Sequence, residues 1–134
     1  MKFVPDTPSG VNVISHYEAA GGADGPPRAR LWVGGTAHER SLFVPWTGEV
    51  QPWPVADWSA LAMADFERMA AFAPELVIFG SGRRMRFAPP ALLRPLAERG
   101  IGIECMDTGA ACRTYNVLVS ERRSVLAALL VGID

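Results

Sequence analysis

Two short stretches of this chain carry residue types from which a site could be built. Gly80-Ser81-Gly82-Arg83-Arg84-Met85-Arg86 joins a glycine turn to three guanidinium groups. Backbone N–H groups in such a turn can cradle an anion, and arginines can add bidentate contacts to it. The stretch is no P-loop, because the lysine-serine/threonine ending is missing, and no dinucleotide fingerprint, because Met85 stands where a third glycine would be needed. The simpler reading is a tight strand-to-helix turn with solvated arginines. Short glycine patterns recur by chance often enough to favour it.

The second stretch runs from Asp107 to Asn116. Asp107 could act as a general base and Arg113 as an oxyanion partner, yet an acid ahead of a helix is also what an N-cap requires. Either Asp107 or Thr108 can cap, and Arg113-Thr114-Tyr115-Asn116 reads equally as a polar network that pins the helix. The structural reading suffices for both. Cys112 falls near the start of the same helix, where the macrodipole lowers a thiol pKa. His16 and His38 are distant in sequence, however, and a free cysteine is more often a small buried hydrophobe. No complete catalytic constellation emerges, and neither a metal nor a cofactor motif is present.

The elements that would position these residues are legible in the second half. Glu75 to Phe79 is an apolar strand stopped by Gly80-Ser81-Gly82. Pro89-Pro90 opens a helix with Leu92, Leu93, Leu96 and Ala97 on one face and Gly100 at its end. Ile101 to Met106 is a second strand, and the helix after Asp107-Thr108 carries Ala110, Ala111, Thr114, Val117 and Leu118 as an apolar stripe, with Arg113, Asn116 and Ser120 on another face. Ligands of open α/β sheets bind outside the carboxyl ends of the strands, which places Gly80–Arg86 and Asp107–Arg113 on one edge. Val125 to Val131 is uncharged and fits a helix or a buried strand, since periodicity cannot decide a run this short.

The first half reads as β structure with loops. Val11 to Glu18 alternates, Gly21 to Pro27 marks a turn or mobile loop, and Gly34-Gly35 signals a hairpin between Arg30–Val33 and Ser41–Val44. A short extended piece is expected around Glu49-Val50, and helical spacing from Trp58 to Phe72 predicts a helix starting after Ser59 and ended by Ala73-Pro74. Trp32, Trp46, Trp53 and Trp58 are bunched in this half. They suit a core, and also a partner surface if two or more of them are exposed.

Three blocks resemble a known family. Pro74-Glu75-Leu76-Val77-Ile78-Phe79-Gly80-Ser81-Gly82, then Arg86-Phe87-Ala88-Pro89-Pro90, then Gly102 through Leu118 with Asp107-Thr108-Gly109-Ala110 at its centre are similar to the signature of the Mth938-like domain family. That family includes the third assembly factor of mitochondrial respiratory complex I and many uncharacterised bacterial and archaeal proteins. The likeness covers nearly the whole chain and is most specific in the last block. It implies a three-layer α/β fold with a central mixed sheet, an additional N-terminal β portion, and a final antiparallel strand at Val125–Val131. It brings no catalytic residues. Where family members often have a glycine between the last helix and strand, this chain has Glu121-Arg122-Arg123.

Composition bounds the rest. The 134 residues are 49% hydrophobic and 20% charged, which fits one globular domain over residues 1–134. Net charge is −1, so nothing draws the whole chain to nucleic acid or an acidic membrane. No apolar run approaches a membrane span, Met1 to Asp6 lacks a signal-peptide core, and Cys105 and Cys112 make no disulfide framework, so a soluble protein in a reducing cytoplasm is expected. The leading expectation is a non-catalytic protein-interaction or assembly-factor-like module with a protein partner, and with homo-oligomers open. The alternative is a small-molecule or anion-binding protein, or an enzyme, using the edge formed by Gly80, Ser81, Gly82, Arg86, Asp107, Thr108, Arg113, Tyr115 and Asn116.

Overall fold

Strands built only from apolar residues must be covered on both faces, and three such strands make the centre of this protein. The computed structural model describes residues 10–22 and 25–133. Its main sheet has five strands in the order β5-β4-β8-β6-β7: β4 is Leu42–Pro45, β5 Gln51–Pro52, β6 Leu76–Gly80, β7 Gly102–Met106 and β8 Val125–Leu129. β8 runs antiparallel to β4 and parallel to β6, and β6 and β7 are parallel. The sheet is therefore mixed, and the final strand is antiparallel to only one of its neighbours. A second, antiparallel sheet has the order β1-β2-β3, from Ile14–Gly22, Gly25–Val33 and Thr36–His38.

Alternation along the central strands divides the interior in two. Leu42, Val44, Ile78, Val125, Ala127 and Leu129 face α3 (Thr108–Ser120) and the β1–β2 hairpin. Phe43, Val77, Phe79, Leu126, Ala128 and Leu130 face α1 (Met63–Ala71) and α2 (Arg94–Ala97), with Phe66, Met69 and Leu96 supplied by those helices. This is the three-layer arrangement of helices on a mixed sheet, with an N-terminal β portion added to one side. No helix among the described residues is long and apolar enough to cross a membrane.

Several local expectations are corrected. The glycine hairpin joins β2 to Thr36–His38, not to Ser41–Val44; the latter run crosses to the main sheet, where Leu42 to Pro45 pair with β8. Gly21–Pro27 is mostly ladder rather than loop, because Ala20 pairs with Arg28 and Gly22 with Gly25; its tip lies outside the described residues, as does Met1–Asp6. Val11 makes only an isolated bridge to Thr47, and the extended piece expected at Glu49-Val50 is paired two residues later. The helix after Pro90 breaks into a 3-10 turn, Pro90–Leu92, and the single turn of α2, because Pro95 brings no N–H to the helix ladder.

In α3 the buried side is Thr108, Ala111, Cys112, Tyr115 and Val119, while Val117 of the expected stripe is 56% exposed. Helical spacing did locate α1, preceded by a 3-10 turn at Trp58–Ala60. Of the tryptophans, Trp53 is fully buried, stacked on Phe43 at 4.8 Å with its Nε1–H donated to Asp65 at 3.0 Å. The other three are half-buried, and none of the four is fully exposed.

Arg122, in the turn between α3 and β8, has φ +62°, a left-handed conformation costing a side-chain-bearing residue about 1–2 kcal/mol. Arg122→Gly should remove that strain and return part of it as unfolded-chain entropy, for a net gain of about 0.5–1 kcal/mol in urea unfolding. An unchanged or lowered stability would show that the arginine repays its own strain.

Candidate functional site

The end of β6 is shaped by what its glycines leave out. A Cβ on Gly80 would lie 2.9 Å from Thr108 Oγ1 and 3.0 Å from Leu129 Cδ2, so only a bare Cα lets the first turn of α3 press against the strand end. Gly82 has φ +96°, and a Cβ there would meet the Ile133 carbonyl oxygen at 2.3 Å. Gly80 to Gly82 is thus clamped between α3 and the residues following β8.

Thr108 closes the clamp. It is fully buried, its hydroxyl donates to Leu130 O at 2.7 Å, and the same oxygen accepts the Gly82 N–H at 2.9 Å. Its own N–H donates to Gly82 O at 2.9 Å. Asp107 is the N-cap, with Oδ1 accepting the Ala110 N–H at 2.9 Å. Ser81 is equally buried; its N–H donates to Met106 O at 2.8 Å, and its Oγ bonds Arg84 O at 2.6 Å while accepting the Arg86 N–H at 2.9 Å. The Arg83 N–H goes to Ile133 O at 3.1 Å. The amides of residues 81, 82, 83 and 86, which would have to point at an anion, are therefore committed within the protein.

Gly80, Ser81, Gly82, Arg86, Asp107 and Thr108 are brought together at this strand end. Arg86 lies across it, its guanidinium 4.2 Å from the Trp58 ring and 3.4 Å from Ser81 O. Tyr115 and Asn116 are directed elsewhere. The Tyr115 hydroxyl lies 2.9 Å from Asn12 O and 3.1 Å from Pro45 O, and Asn116 pairs with both backbone groups of Ile14 at 2.9 and 2.7 Å. The two side chains tie α3 to β1 and to the end of β4. Arg113 is exposed on the outer side of α3.

Burial decides the thiol chemistry. It pushes the Cys112 thiol up to about 12, and the neighbouring Arg113 pulls the other way without prevailing. The helix N-terminus does not activate this cysteine, whose thiolate at pH 8 is on the order of one in ten thousand. Because the folded thiol titrates above its ordinary value, its contribution to stability is complete below about pH 9 and is lost as pH rises toward about 12. Burial raises the Tyr115 phenol too, which steepens the same alkaline limb. Cys112→Ala should flatten the decline in unfolding free energy between pH 8.5 and roughly 11; an identical pH slope in the variant would show that the thiol titrates alike in the folded and unfolded chain.

Some residues at this edge were not singled out from the sequence. Tyr17 on β1 lies over Gly109, where a Cβ would stand 3.5 Å from its ring, and its phenol is pushed up by burial, then by Cys112 and Asp107, with Arg83 opposing. Nothing in the local sequence ties position 17 to position 109. Met85 and Phe87 are 46% and 75% exposed, and their alternation with Arg84 and Arg86 was the available signal. Two open hollows lie away from the edge. One of about 730 Å³ is bounded by Glu18, Arg28, Arg30, Glu39 and Gly132, and one of about 610 Å³ by Arg30, His38, Arg40 and Pro52. Among the described residues no cluster of His, Cys, Asp or Glu could hold a metal ion.

Comparison with known proteins adds context to this geometry. Residues 24–130 match a family model described as protein of unknown function (DUF498/DUF598). The NADH dehydrogenase [ubiquinone] 1 alpha subcomplex assembly factor 3 of Xenopus tropicalis is 32% identical over 80 residues, 58% of this chain and 44% of that protein. The chain thus spans less than half the length of that curated relative. An uncharacterized protein of Rhodobacter capsulatus is 35% identical over 104 residues, 73% of this chain and 74% of that one. The solution structure of a Bordetella pertussis protein, described as a Mth938-like domain, superposes with a TM-score of 0.77 at 28% identity, covering 100% of this chain and 94% of that one.

Proposed function

This chain belongs to the Mth938-like (DUF498/DUF598) family, and from that premise we propose that it works as a non-catalytic protein-interaction module of the assembly-factor kind. The observation that carries the reading is the saturation of the strand-end edge. The N–H groups of residues 81, 82, 83 and 86 go to Met106 O, Thr108 Oγ1, Ile133 O and Ser81 Oγ, and the hydroxyls of Ser81 and Thr108 go to Arg84 O and Leu130 O. Asp107 is spent on capping, and Cys112 is held as a neutral thiol. An enzyme keeps its acid, base or nucleophile within reach of a substrate; here those groups hold three segments of chain together. That relatives are named as NADH dehydrogenase [ubiquinone] assembly factors supports a protein partner for this chain as well, though not the same partner, since one fold hosts many functions.

The test is affinity purification of the tagged protein at native expression after mild lysis, with mass spectrometry of what co-purifies. A reproducible stoichiometric protein partner is the expected result; recovery of the chain alone, across several growth conditions, overturns the reading. The binder alternative is checked alongside: inorganic phosphate and nucleotides at millimolar concentration should leave the melting temperature unchanged. A ligand-dependent rise that disappears in Arg83→Ala would favour an anion site.

A further inference from the structure

Each open edge of a β-sheet is a row of main-chain donors and acceptors, and proteins blunt such rows to prevent unwanted pairing. Four strands end the two sheets here, and three of them are blunted. β5 is two residues long and closes on Pro52, β3 is three residues long, and the pairing of β1 with β2 is broken by two register shifts. β7 has none of these devices. Gly102–Met106 lies in unbroken register along β6, contains no proline and keeps all five residues at least partly exposed, whereas β8 in the centre is fully buried. The Ser81 N–H donates to Met106 O, so the main-chain groups of Gly102, Glu104 and Met106 point toward β6. Those of Ile103 and Cys105, which alternate with them, point away and meet no main-chain partner among the described residues.

We propose that β7 is a docking edge, on which an extended segment of a partner protein adds as a further strand with a lysine or arginine opposite Glu104. The inference rests on the interaction-module reading and names its surface. An extended chain offers N–H and C=O groups at the spacing of Ile103 and Cys105, so the backbone fixes the shape of the occupant. The side chains fix its charge. Ile103 and Cys105 sit at the rim of the layer that holds Leu96, and apolar residues opposite them would extend that layer. Glu104 projects on the other face, exposed and outside every ion pair among the described residues. Residues directly opposite share a face whether the strands run parallel or antiparallel, so the segment reads apolar, cationic, apolar. A second copy of this chain fits poorly. The antiparallel register that uses the outward groups of both strands sets Glu104 against its own counterpart, and like charges directly opposite are destabilising.

Residue-resolved amide exchange on the full chain tests the proposal, with two end-blocked heptapeptides as probes: one alternates valine and lysine, the other valine and glutamate. In the chain alone, the Ile103 and Cys105 amides should exchange freely while those of Glu104 and Met106 are protected. The lysine peptide at millimolar concentration should slow Ile103 and Cys105 at least about fivefold, as an occupancy of about four-fifths implies, and the glutamate peptide should not. Glu104→Lys, a change on an exposed side chain, should reverse that preference. Ile103→Pro removes an outward N–H and no bond to β6, so it should fold and recover at least about tenfold less of the partner found by affinity purification. Glu104→Lys should lower that recovery too, and it carries the test if the proline variant does not fold. Exchange at Ile103 and Cys105 that ignores both peptides, or answers both alike, overturns the docking edge; a partner still recovered undiminished by Glu104→Lys then leaves the interaction module standing. The same silence with the chain purified alone overturns both. Slowing that appears without peptide as the chain is concentrated, with sedimentation as a dimer, reassigns the edge to a second copy and overturns the partner segment.

Discussion

Thr108→Val is expected to lower the unfolding free energy by about 2–5 kcal/mol, although it changes almost no volume. The substitution removes the hydrogen bond to Leu130 O and the acceptor for the Gly82 N–H, and strands both groups in a site sealed from water. Each buried group left unsatisfied costs about 1–3 kcal/mol. The loss is not confined to one element, since the two partners belong to the turn after β6 and the segment after β8. Thr108→Ser keeps the hydroxyl and gives up only a methyl group, so it should lose about 1 kcal/mol. Urea denaturation of the two variants separates hydrogen bonding from packing. Equal losses in both would mean that the methyl group, and not the hydroxyl, secures the clamp.

Gly82→Ala should be at least as damaging, with a loss of about 3–5 kcal/mol. It combines a left-handed backbone, at about 1–2 kcal/mol for a residue with a side chain, with a Cβ driven to 2.3 Å from the Ile133 carbonyl. The obstacle is main chain rather than the flexible end of a side chain, so relief requires residues near 133 to move and the Arg83 N–H···Ile133 O bond to open. Gly100→Ala is the matched control. Gly100 is also left-handed, at φ +67°, but nothing lies near its missing Cβ, so the conformational cost of about 1 kcal/mol stands alone. If thermal or urea unfolding finds the two alanine variants equally stable, the close approach at Gly82 contributes nothing.

These contacts explain which parts of the fold could be read from the chain. The strands at Leu76–Gly80 and Gly102–Met106 and the cap at Asp107 were legible because apolar runs end at glycine or an acid, and those punctuation marks act locally. The inward side of α3 was not, because its buried positions include Thr108 and Tyr115, whose polar atoms are satisfied by residues far along the chain. Hydropathy favoured Val117, which faces solvent. Ser41–Val44 lies outside the hairpin for a related reason: the glycine pair at 34–35 marks a turn but not how far the returning strand extends. At the strand-end edge, the sequence brought Gly80–Arg86 and Asp107-Thr108 side by side. It could not say that their donors and acceptors already satisfy one another, since that depends on Leu130 and Ile133 arriving from the end of the chain.

The position of β8 has a consequence for how this protein is made. Synthesis is vectorial, and β4 and β6 leave the ribosome long before Val125–Leu129, the strand that lies between them and is hydrogen-bonded to both. Until it emerges, β4 and β6 have no common partner and the two apolar layers have no shared wall. The nascent chain must then wait with its strand edges open, in the condition that most invites misassociation and chaperone engagement. The sheet cannot be completed until those five residues have appeared.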